Sequence, residues 1–392
     1  MHARERYLAI ARHEHVRPGL LLRSGYWPET LERWKEQGMP EEHDFGYTDY
    51  RRDVPFYSGM LPEFDVTVIE DEGETQVVRD QYGVIKRVYR DRPGNLQQFL
   101  QHPVSDRASW EAIRDRLDPD NPERSTDSIS EYALRRDPHV LSSFGPGGHL
   151  GGFFSFIREL CGDQCYYLLF DNPALVQEMV EFQTFRIKRL LDIVTDRVAL
   201  DQLNLWEDMC YNHGPLIGPG RFRDFFLSGY KTVCEHARRV GVQVIDVDSD
   251  GDIRDLIPLW LEAGVNMFHP LEVAAGCDVN EIGLEYGSAL AMHGGVDKRE
   301  LAKGKAEIDA EIERILPAFE RGGYIPHVDH WVPPEVSLDN YTYYLSRLRC
   351  LVLQTATGDQ PGADSVDGAG QVIKSATATV YRKTQGTVSG SE

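Results

Sequence analysis

The feature that most constrains this chain is a repeat in which a short apolar run alternates with an amphipathic helix. Six such runs occur from residue 139 onward, namely HVLSSFG (139–145), ALDQLNLW (199–206), VQVIDVDS (242–249), VNMFHPL (265–271), SALAMHGGV (288–296) and GGYIPHVDH (322–330). Strands that alternate with helices predict parallel βα units. We therefore expect an α/β fold, a (β/α)8 TIM barrel with an elaborated N-terminal region, although the pattern alone also allows an open doubly wound sheet.

The helices between these runs have recognisable ends. Asn172 followed by Pro173 predicts a helix start, because asparagine caps the first turn and proline is tolerated at the first helical position. The segment KAEIDAEIERILPAFE (305–320) has apolar residues at helical spacing, and Gly322 after it predicts the stop.

The chain divides by composition into three parts. Residues 1–135 are rich in Pro, Arg and Asp, and we interpret them as an N-terminal elaboration or lid that could also supply the first strand. Within them, TQVVRDQYGVIKRVYRD (75–91) predicts a β-hairpin around Tyr82-Gly83. Residues 136–356 hold the main βα repeats, and residues 357–392, which lack an apolar periodicity, are predicted to be a flexible tail.

Composition excludes several classes of function. The chain has 392 residues, with 63 acidic residues against 42 basic ones and a formal net charge of -21, so nucleic acid and anionic membranes are poor partners. The N-terminus lacks the apolar core of a signal peptide, and no stretch approaches the roughly 18 apolar residues of a membrane span. The six cysteines are scattered without a CxxC pair. We expect a cytoplasmic protein without nucleic-acid or membrane partners. The sequence leaves open whether the protein forms a homodimer.

The stretch VIDVDSDGD (244–252) contains an aspartate cluster that directly follows the apolar run Val242–Ile245, whose residues are of the kind that is usually buried. Asp246, Asp248, Asp250 and Gly251 match the start of an EF-hand calcium loop, but the twelfth position is Ile257 where a bidentate glutamate is needed. The preceding segment also predicts a strand rather than a helix. The aspartates therefore either face open water or balance a cation or a substrate.

Strand parity places these aspartates at a barrel mouth. Val244, Asp246 and Asp248 point to the same side of an extended segment, and active sites of such barrels lie at the carboxyl ends of the strands. The other strand ends also carry acids or histidines, namely His149, Glu207, His269, Glu272, His293, His327, Asp329 and His330. Such convergence predicts a metal site or an acid–base site. For Asp250 and Asp252, capping of the helix that begins near Ile253 is an equally good interpretation.

Four stretches carry a resemblance to a known family. WEDMCYNHGPLIGPGRFRDFFLSGYK (206–231), DVDSDGDIRDLIPLWLEAGVNMFHPLEVAAGCDV (246–279), LAMHGGVDKREL (290–301) and GGYIPHVDHWVPPEVSLDNYTYYL (322–345) resemble the uroporphyrinogen decarboxylase superfamily, whose fold is a (β/α)8 barrel. The resemblance covers about residues 1–355 and implies one of two chemistries.

The decarboxylase branch binds substrate carboxylates through two N-terminal arginines. In LLLRSGYWPE (21–30), Arg23 matches the first of them, whereas the second is missing and Tyr26 stands near its place. His330 matches a histidine of the family's C-terminal motif, in a DHW context. An acidic chain with one of the two arginines is poorly equipped for a polyanionic porphyrinogen.

The methyltransferase branch transfers methyl groups to a corrinoid protein and holds zinc through a His-x-Cys and a later Cys. The corresponding positions here are Asp246-Val247-Asp248 and the neighbourhood of His330. The resemblance thus implies a divalent metal (zinc, or iron or manganese) held by oxygen and nitrogen ligands, a small methylated O- or N-compound as substrate, and a corrinoid protein as partner.

These arguments lead to a prediction for the site. We expect Asp248 and His330 to hold the metal, with Glu207 or Asp246 completing it, and Asp248, His330, Glu207 and Arg23 to be catalytic. The predicted substrate-binding residues are Tyr26, Phe144, His149, Trp206, His269, Glu272 and His293. The alternatives are a decarboxylase of a small acid or porphyrinogen that uses no corrinoid, with Arg23 as carboxylate anchor and Asp248 or His330 as proton donor, and a barrel that only binds a tetrapyrrole or corrinoid partner.

Overall fold

The computed structural model describes residues 1–90 and 97–353. Its strands are β1 (Arg51–Asp53), β2 (Thr67–Asp71), β3 (Thr75–Arg79), β4 (Ile85–Tyr89), β5 (Gln98–Gln101), β6 (Leu141–Phe144), β7 (Gln202–Trp206), β8 (Cys210–Tyr211), β9 (Gly214–Pro215), β10 (Val244–Asp248), β11 (Met267–His269), β12 (Ala291–Val296) and β13 (Tyr324–Val328). Its helices are α1 (Ala3–Ala11), α2 (Pro28–Glu36), α3 (Arg107–Ile113), α4 (Asp127–Arg135), α5 (Phe154–Cys161), α6 (Gln164–Asp171), α7 (Pro173–Thr195), α8 (Pro219–Phe225), α9 (Leu227–Arg239), α10 (Ile257–Ala263), α11 (Val279–Tyr286), α12 (Lys298–Leu301), α13 (Lys305–Arg321) and α14 (Leu338–Leu353).

The main sheet has seven strands in the order β1-β6-β7-β10-β11-β12-β13, and every neighbouring pair is parallel. The six predicted runs supply β6, β7 and β10 to β13 as neighbours in chain order, which confirms the parallel βα arrangement. Among the described residues, the hydrogen-bonded ladder does not join β13 to β1. The architecture is thus an α/β fold with a curled parallel sheet, and closure into an eight-stranded barrel stays a prediction.

An apolar layer lies inside the curl of the sheet, at the amino ends of the strands. It consists of Tyr7, Leu8 and Ile10 from α1, Leu20 and Leu22 from the segment before α2, and the strand residues Leu141, Val244, Met267, Ala291 and Ile325. Along each strand, inward-facing residues alternate with outward-facing ones. The next inward-facing residue of each strand therefore lies two positions further toward its carboxyl end. Those positions form the candidate site.

The N-terminal region builds a second sheet as well as contributing β1. Strands β2, β3, β4 and β5 form an antiparallel sheet, in which β3 and β4 are the predicted hairpin and Gly83 adopts φ +82° in its turn. The division at residue 135 between an elaboration and the repeats stays a prediction. The predicted tail, residues 357–392, lies outside the described residues.

The helix signals in the sequence are confirmed. The Asn172 side chain accepts a hydrogen bond from the backbone N–H of Leu175 at the start of α7, and α13 ends at Arg321 with Gly322 as its C-cap. None of the helices in the described part of the chain is long and apolar enough to cross a membrane. All six cysteines are free thiols, and only Cys350 is exposed.

Candidate metal and substrate site at the mouth of the sheet

A polar cluster sits directly above the apolar layer. The register places Asp246 opposite Met267 on one side and Asn204 on the other, and the Asp246 side chain is completely buried. Its Oδ1 lies 3.0 Å from His269 Nδ1 and its Oδ2 lies 3.2 Å from His293 Nε2. One ligand atom of each of these three residues lies within 4.8 Å of the others.

Polar side chains at this level are costly. The interior of a (β/α)8 barrel is ordinarily filled by branched apolar residues, and a buried charge that lacks compensation destabilises the fold by several kcal/mol. Here Gln202 and Asn204 direct their amide groups at Asp246 Oδ2, at 2.8 and 3.4 Å, which holds the carboxylate in one orientation. The layer is therefore organised around Asp246.

A series of hydrogen bonds determines which nitrogen of His293 carries a proton. The carbonyl oxygen of Val328 lies 2.8 Å from His327 Nδ1, and because a carbonyl can only accept, Nδ1 must donate. His327 Nε2 then accepts from His293 Nδ1 at 2.9 Å. Burial lowers the pKa of both imidazoles. When His293 is protonated on Nδ1 alone, the lone pair of its Nε2 faces Asp246 Oδ2 at 3.2 Å, and a proton or a metal ion between these two atoms makes the contact favourable.

His269 lies between two carboxylates. Its Nδ1 faces Asp246 and its Nε2 lies 3.4 Å from Asp248 Oδ2. Burial lowers the pKa of His269, but the two carboxylates outweigh burial and raise it to about 10. Burial raises the pKa of Asp246, but the two histidines outweigh burial and hold that pKa well below its usual range.

The cluster also fits a divalent metal. A buried carboxylate and two imidazoles that converge on one point form a donor set suited to zinc, iron or manganese. Gln202 and Asn204 orient the carboxylate and His327 orients His293, which is the kind of support that ligating side chains receive in metal sites. A metal ion and the proton on His269 would compete for this position.

A cavity of about 340 Å³ opens above the cluster. It is lined by Leu22, Arg23, Ser24, Gly25, Tyr50, Arg51, Trp206, Asp248, Asp250, His269, Pro270, His293, His327, Val328, His330 and Trp331. The volume is in the range of small-molecule sites. Of the predicted site residues, Arg23, Trp206, Asp248, His269, His293 and His330 line it.

Asp248 and His330 share this cavity, but their partners differ from the prediction. His330 Nε2 pairs with Asp250 Oδ2 at 3.2 Å, whereas Asp248 faces His269. Asp250 thus does not cap a helix. Asp252 accepts from the backbone N–H of Arg254 in a turn, and α10 begins only at Ile257 without a side-chain cap. The ligands that converge are therefore Asp246, His269 and His293 rather than Asp248 and His330.

Glu207 does not reach the cavity, contrary to the prediction that it completes the metal site. Trp206 points inward, so its neighbour Glu207 points outward, toward the start of α5. The Glu207 carboxylate accepts from the backbone N–H groups of Phe153, Phe154 and Ser155 and from the hydroxyl of Tyr230. Burial raises the pKa of Glu207 and these four donors partly oppose the rise. Its role is to hold α5 against β7.

Two of the predicted substrate-binding residues, Tyr26 and Phe144, also lie outside the cavity. Tyr26 is buried against Trp34 and hydrogen-bonds Tyr47 and Tyr341, with the Arg23 guanidinium 5.4 Å from its ring centre. Phe144 follows the inward-facing Ser143 and packs outward against Phe56. Neither can contact a substrate above the Asp246 cluster.

His149 and Glu272 have local roles in the described structure. The His149 ring stacks on Trp206 with ring centres 4.1 Å apart, and it lines a separate cleft of about 490 Å³ beside the mouth. Glu272 accepts from Lys298 Nζ at 2.8 Å and from the backbone N–H of Gly251 at 3.0 Å, so it ties two loops together.

Sequence reasoning missed two residues of the site. Arg51 lies in a three-residue strand that has no periodic apolar pattern, so nothing in the sequence marked it as inward-facing. His327 was noted at a strand end but not assigned a role. Its position two residues after Ile325, which belongs to the interior apolar layer, was the signal that it faces inward.

Comparisons with known proteins bear on both the family resemblance and the fold. Residues 162–349 match the family model for uroporphyrinogen decarboxylase (URO-D). A uroporphyrinogen decarboxylase of Ectopseudomonas mendocina (strain ymp) is 26% identical over 179 residues, which are 43% of this chain and only 46% of that relative. The solved structure of a methyltransferase from Methanosarcina mazei has a TM-score of 0.55 at 13% identity, covering 89% of this chain and 98% of that one, and at this identity it shows a shared fold. These matches confirm the predicted resemblance to the uroporphyrinogen decarboxylase superfamily, and the matched residues 162–349 contain the Asp246, His269 and His293 cluster.

Proposed function

We propose that this protein is a metal-dependent methyltransferase that takes a methyl group from a small O- or N-methyl compound and delivers it to a corrinoid protein. The observation that carries the proposal is the convergence of Asp246, His269 and His293, in which one ligand atom of each residue lies within 4.8 Å of the others, beside a cavity of small-molecule size. The likeness to a methyltransferase fold is a secondary support.

Each part of the site would have a defined task. A divalent ion at the cluster supplies Lewis acidity that makes the methyl-bearing heteroatom a better leaving group. Asp246, His269 and His293 hold that ion, and Gln202 and His327 keep the first and third of them in orientation. Trp206 and Tyr50 provide apolar cavity walls against which a methyl group packs.

A specific observation also supports a second candidate, a decarboxylase of a small acid that needs no metal. His269 between Asp246 and Asp248, with its pKa raised to about 10, carries a proton at neutral pH and could deliver it to the carbon that loses CO2. Arg23 at the mouth would anchor a carboxylate. The presence or absence of a bound ion separates the two candidates.

Metal binding at named ligands is the first test. Purified protein is stripped with a chelator, reconstituted with zinc and measured by elemental mass spectrometry. We expect one ion per chain in the wild type, loss of the ion in Asp246→Asn and in His293→Gln, and retention in Asp250→Asn, a control that lines the same cavity outside the cluster. Zinc binding that survives both cluster variants would refute the metal site.

Turnover is the second test. Reduced free cobalamin serves as methyl acceptor in an anaerobic assay with simple methyl ethers and methylamines, and the corrin absorbance reports methylation. We expect methylation by the zinc-loaded wild type and none by His293→Gln. Release of CO2 from a small acid by the metal-free protein, without corrin methylation, would instead establish the decarboxylase.

A further inference from the structure

Arg51 is an inward-facing cation that the metal site does not use. It pairs in the sheet with Leu141, which belongs to the interior apolar layer, and paired residues of parallel neighbours share a face. Its side chain therefore enters the cavity, where it is a lining residue together with Arg23 and Tyr50.

The partners of Arg51 among the described residues leave most of its donors uncommitted. Its ion pair joins Nε to Asp53 Oδ1 at 3.5 Å, and the Asp53 side chain is 65% exposed, so this contact is weak. A guanidinium has five N–H donors in a planar fork that matches a carboxylate. Burial lowers the pKa of Arg51, but Tyr50, Asp53 and Asp246 outweigh burial and raise it, so the group is always charged.

The cavity presents a second guanidinium besides that of Arg51. Arg23 lines the cavity together with Arg51, and Asp248 and Asp250 are its lining carboxylates. A divalent ion at the cluster of Asp246, His269 and His293 would add positive charge beside the same cavity, which favours a substrate that carries a carboxylate.

We infer that Arg51 is a substrate-anchoring residue that selects methyl compounds bearing a carboxylate, with the carboxylate on Arg51 and the methyl-bearing heteroatom toward Asp246, His269 and His293. The assignment of the reacting end rests on the proposed function, whereas anion binding by Arg51 does not. A metal ion at the cluster and a carboxylate on Arg51 attract each other, so we expect the binding of one to strengthen the binding of the other.

The test is calorimetric titration with methoxyacetate, a methyl ether that carries a carboxylate, and with methoxyacetamide, its uncharged analogue. Zinc-loaded wild type should bind methoxyacetate at least tenfold more tightly than metal-free wild type. Arg51→Gln should lose at least tenfold in methoxyacetate affinity with no change toward methoxyacetamide. Arg52→Gln is the matched control, since Arg52 neighbours Arg51 in β1, points to the other face and pairs with Asp49.

The outcomes are distinguishable. If Arg51 only balances the buried carboxylates, Arg51→Gln binds zinc more tightly and methoxyacetate as well as wild type does, which overturns the inference. If the protein binds no zinc, the proposed function fails. The loss of methoxyacetate affinity in metal-free Arg51→Gln still tests whether Arg51 binds the carboxylate. Arg51→Lys, which keeps the charge but not the fork, provides a second folded variant and should bind methoxyacetate with intermediate affinity.

Discussion

Replacing Glu207 by glutamine should destabilise the protein without affecting the proposed metal site. Oε1 of Glu207 accepts from the N–H of Phe153 and the hydroxyl of Tyr230, and Oε2 accepts from the N–H groups of Phe154 and Ser155. In the best orientation of a glutamine, its NH2 group takes the place of Oε1, where the Tyr230 hydroxyl can turn to accept. The Phe153 N–H then has no acceptor.

The expected cost follows from these contacts. An unsatisfied buried N–H costs about 1–3 kcal/mol, and the bonds to Oε2 weaken because the charge is gone, so we expect a loss of about 2–4 kcal/mol in the free energy of unfolding. This is a large part of the roughly 5–15 kcal/mol typical of a folded protein. Urea unfolding followed by tryptophan fluorescence measures it.

The matched control is Glu313→Gln, an exposed glutamate on α13, which should change the free energy of unfolding by less than about 0.5 kcal/mol. Zinc content should be unchanged in both variants. If Glu207→Gln is as stable as Glu313→Gln, the contacts with α5 do not carry the stability assigned to them. If it loses zinc, Glu207 is a ligand and our placement of the metal is wrong.

Two further predictions concern how residues near the candidate site, Asp329 and Gly294, contribute to the stability of the protein. Burial raises the pKa of Asp329 to about 6, above the roughly 3.9 of an unfolded chain, so its contribution to stability is fully present below pH 4 and is lost as pH rises through 6. The free energy of unfolding of wild type relative to Asp329→Asn, measured in urea from pH 4 to 7, should therefore fall by about 2 kcal/mol, and a flat difference would contradict this. Gly294 has φ +108° and a Cβ there would lie 2.0 Å from the carbonyl oxygen of Pro270, whereas Gly287 has φ +55° and open space. Gly294→Ala should thus lower the free energy of unfolding by about 3 kcal/mol or more and Gly287→Ala by about 1 kcal/mol, and equal losses would show that the contact with Pro270 relaxes freely.

Much of the fold could be read from the sequence because its signals are local. Alternation of apolar runs with helices predicted six neighbouring parallel strands, and the strand ends located the site at one edge of the sheet. The inward direction of Asp246 and Asp248 also followed from parity alone, since alternation belongs to a single strand. The same rule, applied to Trp206, would have excluded Glu207 from the site.

What the sequence by itself determined is therefore six of the seven strands of the main sheet, the alternation of residues along each of them and the strand ends at which the candidate site lies. Only the tertiary structure decided which of those residues meet. In the register of the sheet, Asp246 pairs with Met267, so His269 lies two residues nearer the carboxyl end of its strand. There it contacts both Asp246 and Asp248. His330 pairs with Asp250 instead. Arg51 enters the site only through its pairing with Leu141. The physical reason is that the direction of a side chain is set within its own strand, whereas its height and its neighbours depend on the stagger between strands that are far apart in the chain.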